Sequence, residues 1–261
     1  MINNSLSVID PKAKIGNNVK IGPFCHIEGD VEIADNCVIE SHVSILNGSR
    51  LAEGVKVFPG VVVGAAPQDL KYQGEYSTIS VGKNTIIREY CTLNRGTAAN
   101  FETSIGENCL IMAYVHVAHD CVIGNNCIIA NNVNLAGHIV IEDFAVLGGM
   151  SAVHQFVKIG AHTMLGGGSL VRKDIPPFVK AAREPLSYAG VNSIGLKRRG
   201  FTREQINHIQ QIYRILFVKG HNTTQALKII ETDVDASPER DYILSFIGNA
   251  DRGIMKGFKQ L

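Results

Sequence analysis

Apolar residues recur along this chain with a period of six. Starting at Ile9, the frame reads Ile15, Ile21, Ile27, Ile33, Ile39, Ile45, Leu51, Val57 and Val63, resumes at Val81, Ile87 and Leu93, and runs unbroken from Ile105 to Val171. Only Asp69, Glu75 and Ala99 depart from Ile, Leu or Val within it. A helix repeats its apolar positions every 3.6 residues and a strand every two. Six fits neither, so each hexad is a short strand plus a corner, and three corners close one coil of a β-helix. The residue four beyond each frame position is small or β-branched (Ala13, Val19, Cys25, Val31, Cys37, Val43), as a second inward side chain in a narrow lumen must be. Asn recurs one position earlier (Asn18, Asn36, Asn84, Asn108, Asn126, Asn132), where a corner asks for the left-handed backbone region that Asn tolerates. With about 18 residues per coil and about 4.8 Å between stacked strands, the frame predicts eight or nine coils and a prism about 40 Å long. The period does not set the hand of the coil.

Two stretches interrupt the rhythm, residues 65–78 and 98–104, and insertions in a solenoid emerge as surface loops. The repeat ends at Pro176-Pro177, dividing the chain into a β-helix over 1–175 and a helical region over 176–261. In the latter, Thr202 and Gln205 form a capping box, with Phe201 placed to staple onto Ile206. The helix that follows puts Ile206, Ile209, Tyr213, Leu216 and Phe217 on one face and stops at Gly220. A second helix starts near Thr223 or Thr224 and a third at Ser237-Pro238, turning Tyr242, Ile243, Phe246 and Ile247 inward.

Composition excludes some functions. The net charge is +1 and there is no Trp, so neither a global field nor a stacking platform for nucleic acid exists. The charge is uneven: residues 1–175 carry 12 Lys+Arg against 16 Asp+Glu, and residues 176–261 carry 13 against 8, which suits an acidic ligand or partner for the basic tail, or simply a solvated helical surface. No segment has the apolar length of a signal peptide or membrane span, so a cytoplasmic location without membrane insertion is expected. All six cysteines fall on the second inward position and none forms CxxC; they read as core residues, not as a disulfide or zinc framework.

Coil arithmetic turns the list of polar residues into a map. Residues 18 apart stand above one another, so His119, Gly137 and Gln155 form one column and Asp120 and His138 the next. His119 is a candidate general base, since an imidazole titrates near neutrality and can take a proton from a hydroxyl attacking a thioester. Asp120 could orient it and Gly137 could offer its N–H to an oxyanion. A surface histidine and a corner glycine are equally compatible with the column alone. Alternatively His116, His119, His138 and His154 could hold zinc, as in the gamma-class carbonic anhydrases, which share the hexapeptide coil.

The runs GAAPQDLKYQGE (64–75), HVAHDC (116–121), NNVNLAGHIVIEDFAVLGGMSAVHQF (131–156) and GLKRRGF (195–201), in this order and over nearly the whole chain, resemble the UDP-N-acetylglucosamine O-acyltransferases of lipid A biosynthesis. The resemblance implies a left-handed parallel β-helix of hexapeptide repeats with a small C-terminal helical domain. It also implies a homotrimer with sites between neighbouring prisms, and transfer of a 3-hydroxyacyl chain from acyl carrier protein to the 3-hydroxyl of UDP-N-acetylglucosamine. His119 would then be the base, with Asp120 beside it and Gly137 as oxyanion donor. Gln68 and Asp69 would contact the glucosamine, Lys71 the donor or acceptor, and His116 the thioester region. His138, His154 and Gln155 would line the acceptor site with Asn192, while Arg198 and Arg199 would face phosphate. Gly166-Gly167-Gly168 lies near where the acyl tail would end, and Gly167 leaves room for a long chain. No metal or cofactor is needed, since the thioester is already activated. The sequence departs from the family's pattern at Asn94, where many members carry His, and at Ile194, where some carry Glu; the acceptor's 3-substituent, hydroxyl or amino, stays open. A related UDP-sugar N-acyltransferase carries a further N-terminal domain, whereas the repeat here begins by Ile9. A non-catalytic scaffold is the remaining class.

Overall fold

The computed structural model describes residues 6–257. Twenty-five short strands wind into a left-handed parallel β-helix with three flat sheets. The first sheet stacks nine strands, from Val8–Ile9 to Leu170–Val171, and the second stacks eight, from Lys14–Ile15 to Lys158–Ile159. The third begins at Lys20–Ile21 and is extended past the repeat by an antiparallel pair, Val179–Ala182 and Ser187–Val191, and by Lys256–Gly257. Eight full coils and part of a ninth result, as the period predicts. Right-handedness is the rule for parallel crossovers that carry a helix; here each crossover is only a short corner.

Frame residues and the small residues four beyond them fill the lumen. Ile27, Ile33, Ile39, Ile45, Cys37 and Val43 are fully buried, and each such aliphatic side chain contributes about 1.5–3 kcal/mol relative to exposure. The six cysteines are buried and unpaired. Burial pushes the Cys121 thiol up to about 12, and the six serve as packing groups whose Sγ atoms reach carbonyls of the next coil, as from Cys37 to Ala52 O at 3.1 Å.

The corner residue has positive φ on nearly every coil, but Asn is only one of its occupants. Phe24, His42, Tyr90, Tyr114, His138, Phe144, Phe156 and His162 all adopt φ between 57° and 66°. The expectation of Asn or Gly is thus too narrow. Rings 18 or 24 residues apart stack face to face, as do Tyr90 and Tyr114 at 5.3 Å and His138 and Phe156 at 4.5 Å, which offsets the cost of the left-handed backbone.

The two insertions displace the coil register without disturbing the apolar phase. By counting, Val81 should stack on Val63, eighteen residues before it. Instead Val63 pairs with Leu93 in the first sheet, and Val81 pairs with Leu51 in the second. Loop 66–77 and loop 95–101 leave successive coils at the same edge of the prism, the corner between the first and second sheets, called here the first corner. From Val117 onward the eighteen-residue rule holds: Val117, Leu135, Val153 and Val171 are in register.

Beyond the coil stand four helices: α1 (Ser193–Arg198), α2 (Arg203–Phe217), α3 (Thr223–Asp233) and α4 (Pro238–Gly248). The capping box of Thr202 and Gln205 opens α2, and Ser237 with Pro238 opens α4. Helix α3 starts at Thr223, as expected, and Asn222 caps it. Helix α1 has no counterpart in the hydrophobic pattern, because it is six residues long with Gly195 inside it. Tyr213 of α2 is fully buried and donates its hydroxyl to Pro177 O at 2.6 Å, fastening the helices to the end of the coil.

Candidate active site

The first corner collects most of the residues singled out above. His119 and Asp120 turn this corner on one coil, Gly137 and His138 on the next, and Gln155 and Phe156 on the one after. His119 is 4% exposed and Asp120 1%. Nδ1 of His119 lies 2.7 Å from Asp120 Oδ2, the short contact of an orienting carboxylate with an imidazole. That leaves Nε2 facing loop 66–77, with Asp69 Oδ2 at 4.0 Å. The His138 ring stands edge-on to His119, with centroids 5.0 Å apart, and its Nδ1 is 3.8 Å from Asp120 Oδ2.

Loop 95–101 holds Asp120 in place. Thr97 donates its hydroxyl to Oδ2 at 2.6 Å and its N–H to Oδ1 at 3.0 Å, and the Asn100 N–H donates to Oδ1 at 3.2 Å. Burial works to raise the Asp120 pKa, but these donors and His119 outweigh it and hold the carboxyl below the ordinary carboxylate value. Burial, opposed by the Asp120 charge, lowers His138, and burial lowers His116, so both sites favour the neutral imidazole more than free histidine does. Thr97 and Asn100 carry no motif that marks them; the one sequence signal is the broken hexad rhythm of residues 98–104, which contains Asn100 and beside which Thr97 stands, while Phe156 closes the run 131–156 without having been singled out.

Gly137 packs directly against the His119 ring from the next coil. A Cβ there would lie 2.5 Å from His119 Cε1 and 2.8 Å from Nε2, so only glycine lets the imidazole occupy this position. The N–H at this position of the hexad is used at some corners only: those of His119, Asn131 and Gly149 make no hydrogen bond among the described residues, whereas a few others do. At Asn17, Glu107 and Asn125, the corner N–H donates to a side-chain oxygen eighteen residues on, at Asp35, Asn125 and Asp143. Above Gly137 that place belongs to Gln155, which is exposed, and the N–H makes no hydrogen bond among the described residues. A backbone N–H without a protein partner thus lies at the corner that packs against the His119 ring.

A cleft of about 660 Å3 opens here between Asp69, Lys71, Asn100, His138 and Phe156, within the usual range for small-molecule sites. Gln68 and Lys71 are exposed on the loop above it. His116 projects from the first sheet with Nδ1 2.7 Å from Thr92 Oγ1, and His154 is exposed with Nδ1 3.2 Å from Gln155 O. Asn94 is buried, and its amide donates to Ala65 O and Ala66 O at the root of loop 66–77.

Five similarities decide the family. A family model described as UDP-N-acetylglucosamine O-acyltransferase, domain 2, matches residues 174–255, and the bacterial transferase hexapeptide model matches residues 12–47 and 102–137. An acyl-[acyl-carrier-protein]–UDP-N-acetylglucosamine O-acyltransferase from Xanthomonas oryzae is 48% identical, over 96% of each chain, and one from Thiobacillus denitrificans is 41% identical over 96% of this chain and 97% of the other. A solved UDP-N-acetylglucosamine acyltransferase from Bacteroides fragilis superposes with a TM-score of 0.96 at 50% identity, covering 98% of this chain and all of that one. The chain belongs to the UDP-N-acetylglucosamine O-acyltransferase family. The solved member from Francisella novicida is also similar, with a TM-score of 0.94 at 38% identity over 97% of this chain and 93% of that one.

Not every residue that the family resemblance marks lies at the first corner of this O-acyltransferase-family chain. Asn192 is 7% exposed; its Oδ1 caps α1 by accepting from Gly195 N, and its Nδ2 donates to His162 O. Arg199 lies over the Phe144 ring at 5.2 Å, and Arg198 and Ile194 are exposed on α1. These residues adjoin the corner between the second and third sheets. Gly167 adjoins the corner between the third and first.

The corner between the second and third sheets, called here the second corner, contains a buried histidine. His162 is stacked between Phe144 and Phe178, and its Nδ1 is buried without a partner. Burial, reinforced by the Arg199 charge, pushes it down to about 4. A depressed histidine contributes its full stability above the unfolded value near 6.5 and loses it as pH falls through the folded value. Unfolding titrations of the parent should therefore show about 2–3 kcal/mol more loss between pH 6.5 and 4 than His162→Phe, which keeps the stack but cannot titrate. Parallel decline in the two proteins would remove His162 as the cause.

Proposed function

We propose that this protein transfers a long 3-hydroxyacyl chain from the thioester of acyl carrier protein to the 3-hydroxyl of UDP-N-acetylglucosamine, the first step of lipid A biosynthesis. The observation that carries the reading is the buried Asp120–His119 pair packed directly against Gly137, whose N–H has no protein partner, beside a cleft lined by Asp69 and His138, in a chain whose relatives along its full length bear that activity in their names.

Chemistry follows from the geometry. The sugar hydroxyl attacks the thioester carbonyl as His119 Nε2 accepts its proton, and the imidazolium is stabilised by Asp120, already ionised and held by Thr97 and Asn100. The carbonyl oxygen becomes an oxyanion and accepts a hydrogen bond from Gly137. Collapse breaks the C–S bond, and the departing thiolate takes the proton back from His119. Atoms balance without a metal or cofactor. Although His119, Asp120 and His138 cluster closely enough to hold an ion, both Asp120 oxygens are already engaged by Thr97, Asn100 and His119.

Gln68, Asp69, Lys71, His138, His154 and Gln155 would surround the sugar, with His116 on the thioester side. Asn192, Arg198 and Arg199 serve the phosphates only if a neighbouring copy brings its own second corner to this first corner. That requirement supports the homotrimer, as does Leu70, wholly exposed at the loop tip between Asp69 and Lys71. A cytoplasmic location agrees with six unpaired cysteines.

An assay with purified 3-hydroxyacyl carrier protein and UDP-N-acetylglucosamine, with the product's linkage located, tests the reading. An ester at the 3-position is expected; no transfer overturns it, and turnover only with a 3-amino analogue would reassign the acceptor. Gly166, Gly167 and Gly168 present no side chain where the tail would end. Donors of graded length should accordingly give their highest kcat/KM with long chains, and a clear preference for short ones would contradict the assignment of Gly167.

A further inference from the structure

Loop 66–77 carries Asp69 to within 4.0 Å of the His119 ring, yet its tip makes few contacts of its own. What fixes it is a residue outside both the loop and the family-marked set. Arg95, just past the strand Thr92–Asn94, donates from Nε and Nη2 to the Tyr72 hydroxyl at 3.2 and 2.8 Å. Its Nη1 donates to Asn47 O and Gly64 O, each at 3.2 Å, and its backbone N–H donates to Ala65 O at 3.1 Å. One side chain thereby ties a preceding corner, the loop's root and its middle. The guanidinium also lies 5.7 Å from the centre of the Tyr72 ring.

Tyr72 belongs to the same turn as Asp69. The Tyr72 N–H donates to Asp69 O at 3.0 Å, and the Lys71 N–H donates to Asp69 Oδ1 at 3.0 Å. The Tyr72 hydroxyl donates onward to Glu75 O, and Glu75 accepts from the Ala98 N–H through Oε1, which links this loop to the one that clamps Asp120. Whatever holds Tyr72 therefore sets where Asp69 stands over the cleft.

We infer that Arg95 is a positioning residue for the acceptor: through the Tyr72 hydroxyl it holds the turn that presents Asp69 to the sugar. The inference rests on the proposed role of Asp69 in the reaction. Displacing a positioned group by about 1 Å costs on the order of a hundredfold, so Arg95→Ala should lower kcat/KM for UDP-N-acetylglucosamine by about 10–100-fold, mainly through KM, and leave KM for the acyl donor unchanged. Arg95→Lys should not rescue it, because one ammonium cannot reach Tyr72 and two carbonyls in a planar fork. Tyr72→Phe should show a smaller loss, about 2–10-fold, from the missing hydrogen bonds.

The decisive comparison is Asp69→Ala against Asp69→Ala/Arg95→Ala. If Arg95 acts through Asp69, the double variant is no worse than the single one. Additive losses, or an Arg95→Ala enzyme within twofold of the parent, would overturn the inference. Should Arg95→Ala fail to fold, as judged by its melting transition, Tyr72→Phe takes its place in the same cycle. His119→Ala run alongside separates the two ideas: activity retained there defeats the catalytic reading, whereas a broken cycle beside an inactive His119→Ala defeats only the role of Arg95.

Discussion

His119→Ala is expected to lose about 10²–10⁴-fold in kcat with its fold intact, the usual contribution of a positioned general base. The fold should survive because the imidazole is not what holds the corner. Asp120 keeps its bonds from Thr97 and Asn100, and the backbone N–H of His138 still donates to the carbonyl of residue 119 at 3.1 Å. Single-turnover transfer from the acyl carrier protein thioester isolates the chemical step from binding. A variant that transfers within threefold of the parent rate would eliminate His119 as the base and leave the buried Asp–His pair without a chemical role.

A single methyl group is the second severe change. In Gly137→Ala the new Cβ would stand 2.5 Å from His119 Cε1, so the ring must swing off its contact with Asp120 or the corner must shift. Either movement separates Nε2 from the N–H beside it. Base and oxyanion donor are both disturbed, and a loss of about 10²–10³-fold in kcat is expected, comparable to removal of an oxyanion donor. Far-ultraviolet dichroism should be unaltered, because Gly137 lies at a corner and contributes no ladder bond through its N–H. Full activity in Gly137→Ala would mean that neither group stands where the reaction occurs.

The sequence determined the coil. Alternation on a pleated strand is local, so an Ile, Leu or Val every sixth residue, with a small residue four beyond it, dictates which side chains face the lumen wherever the chain goes. Between residues 105 and 171, where no residue is inserted, simple counting also sets His119 under Gly137 and Asp120 under His138. The caps of α2 and α4 were legible for the same reason, each being a contact between residues three apart.

Tertiary structure decided which corner each loop occupies and what the loops hold. The chain from Val63 to its partner Leu93 is longer than one coil by two hexads, and that from Leu93 to Val117 by one. Whole hexads leave the apolar phase untouched while moving the residues between the two loops to a different face; together the excursions add three hexads, one full coil, so counting holds again from Ile105, and the pattern cannot register them. Only the hydrogen-bonded pairing of distant strands reveals that both excursions rise from the His119 corner. It is this pairing that lets Thr97 grip Asp120 and Arg95 reach Tyr72. It also parts Asn192 and Arg199 from the Asp120–His119 pair within one chain, because stacking order is a property of contacts between coils and not of any residue's own neighbours.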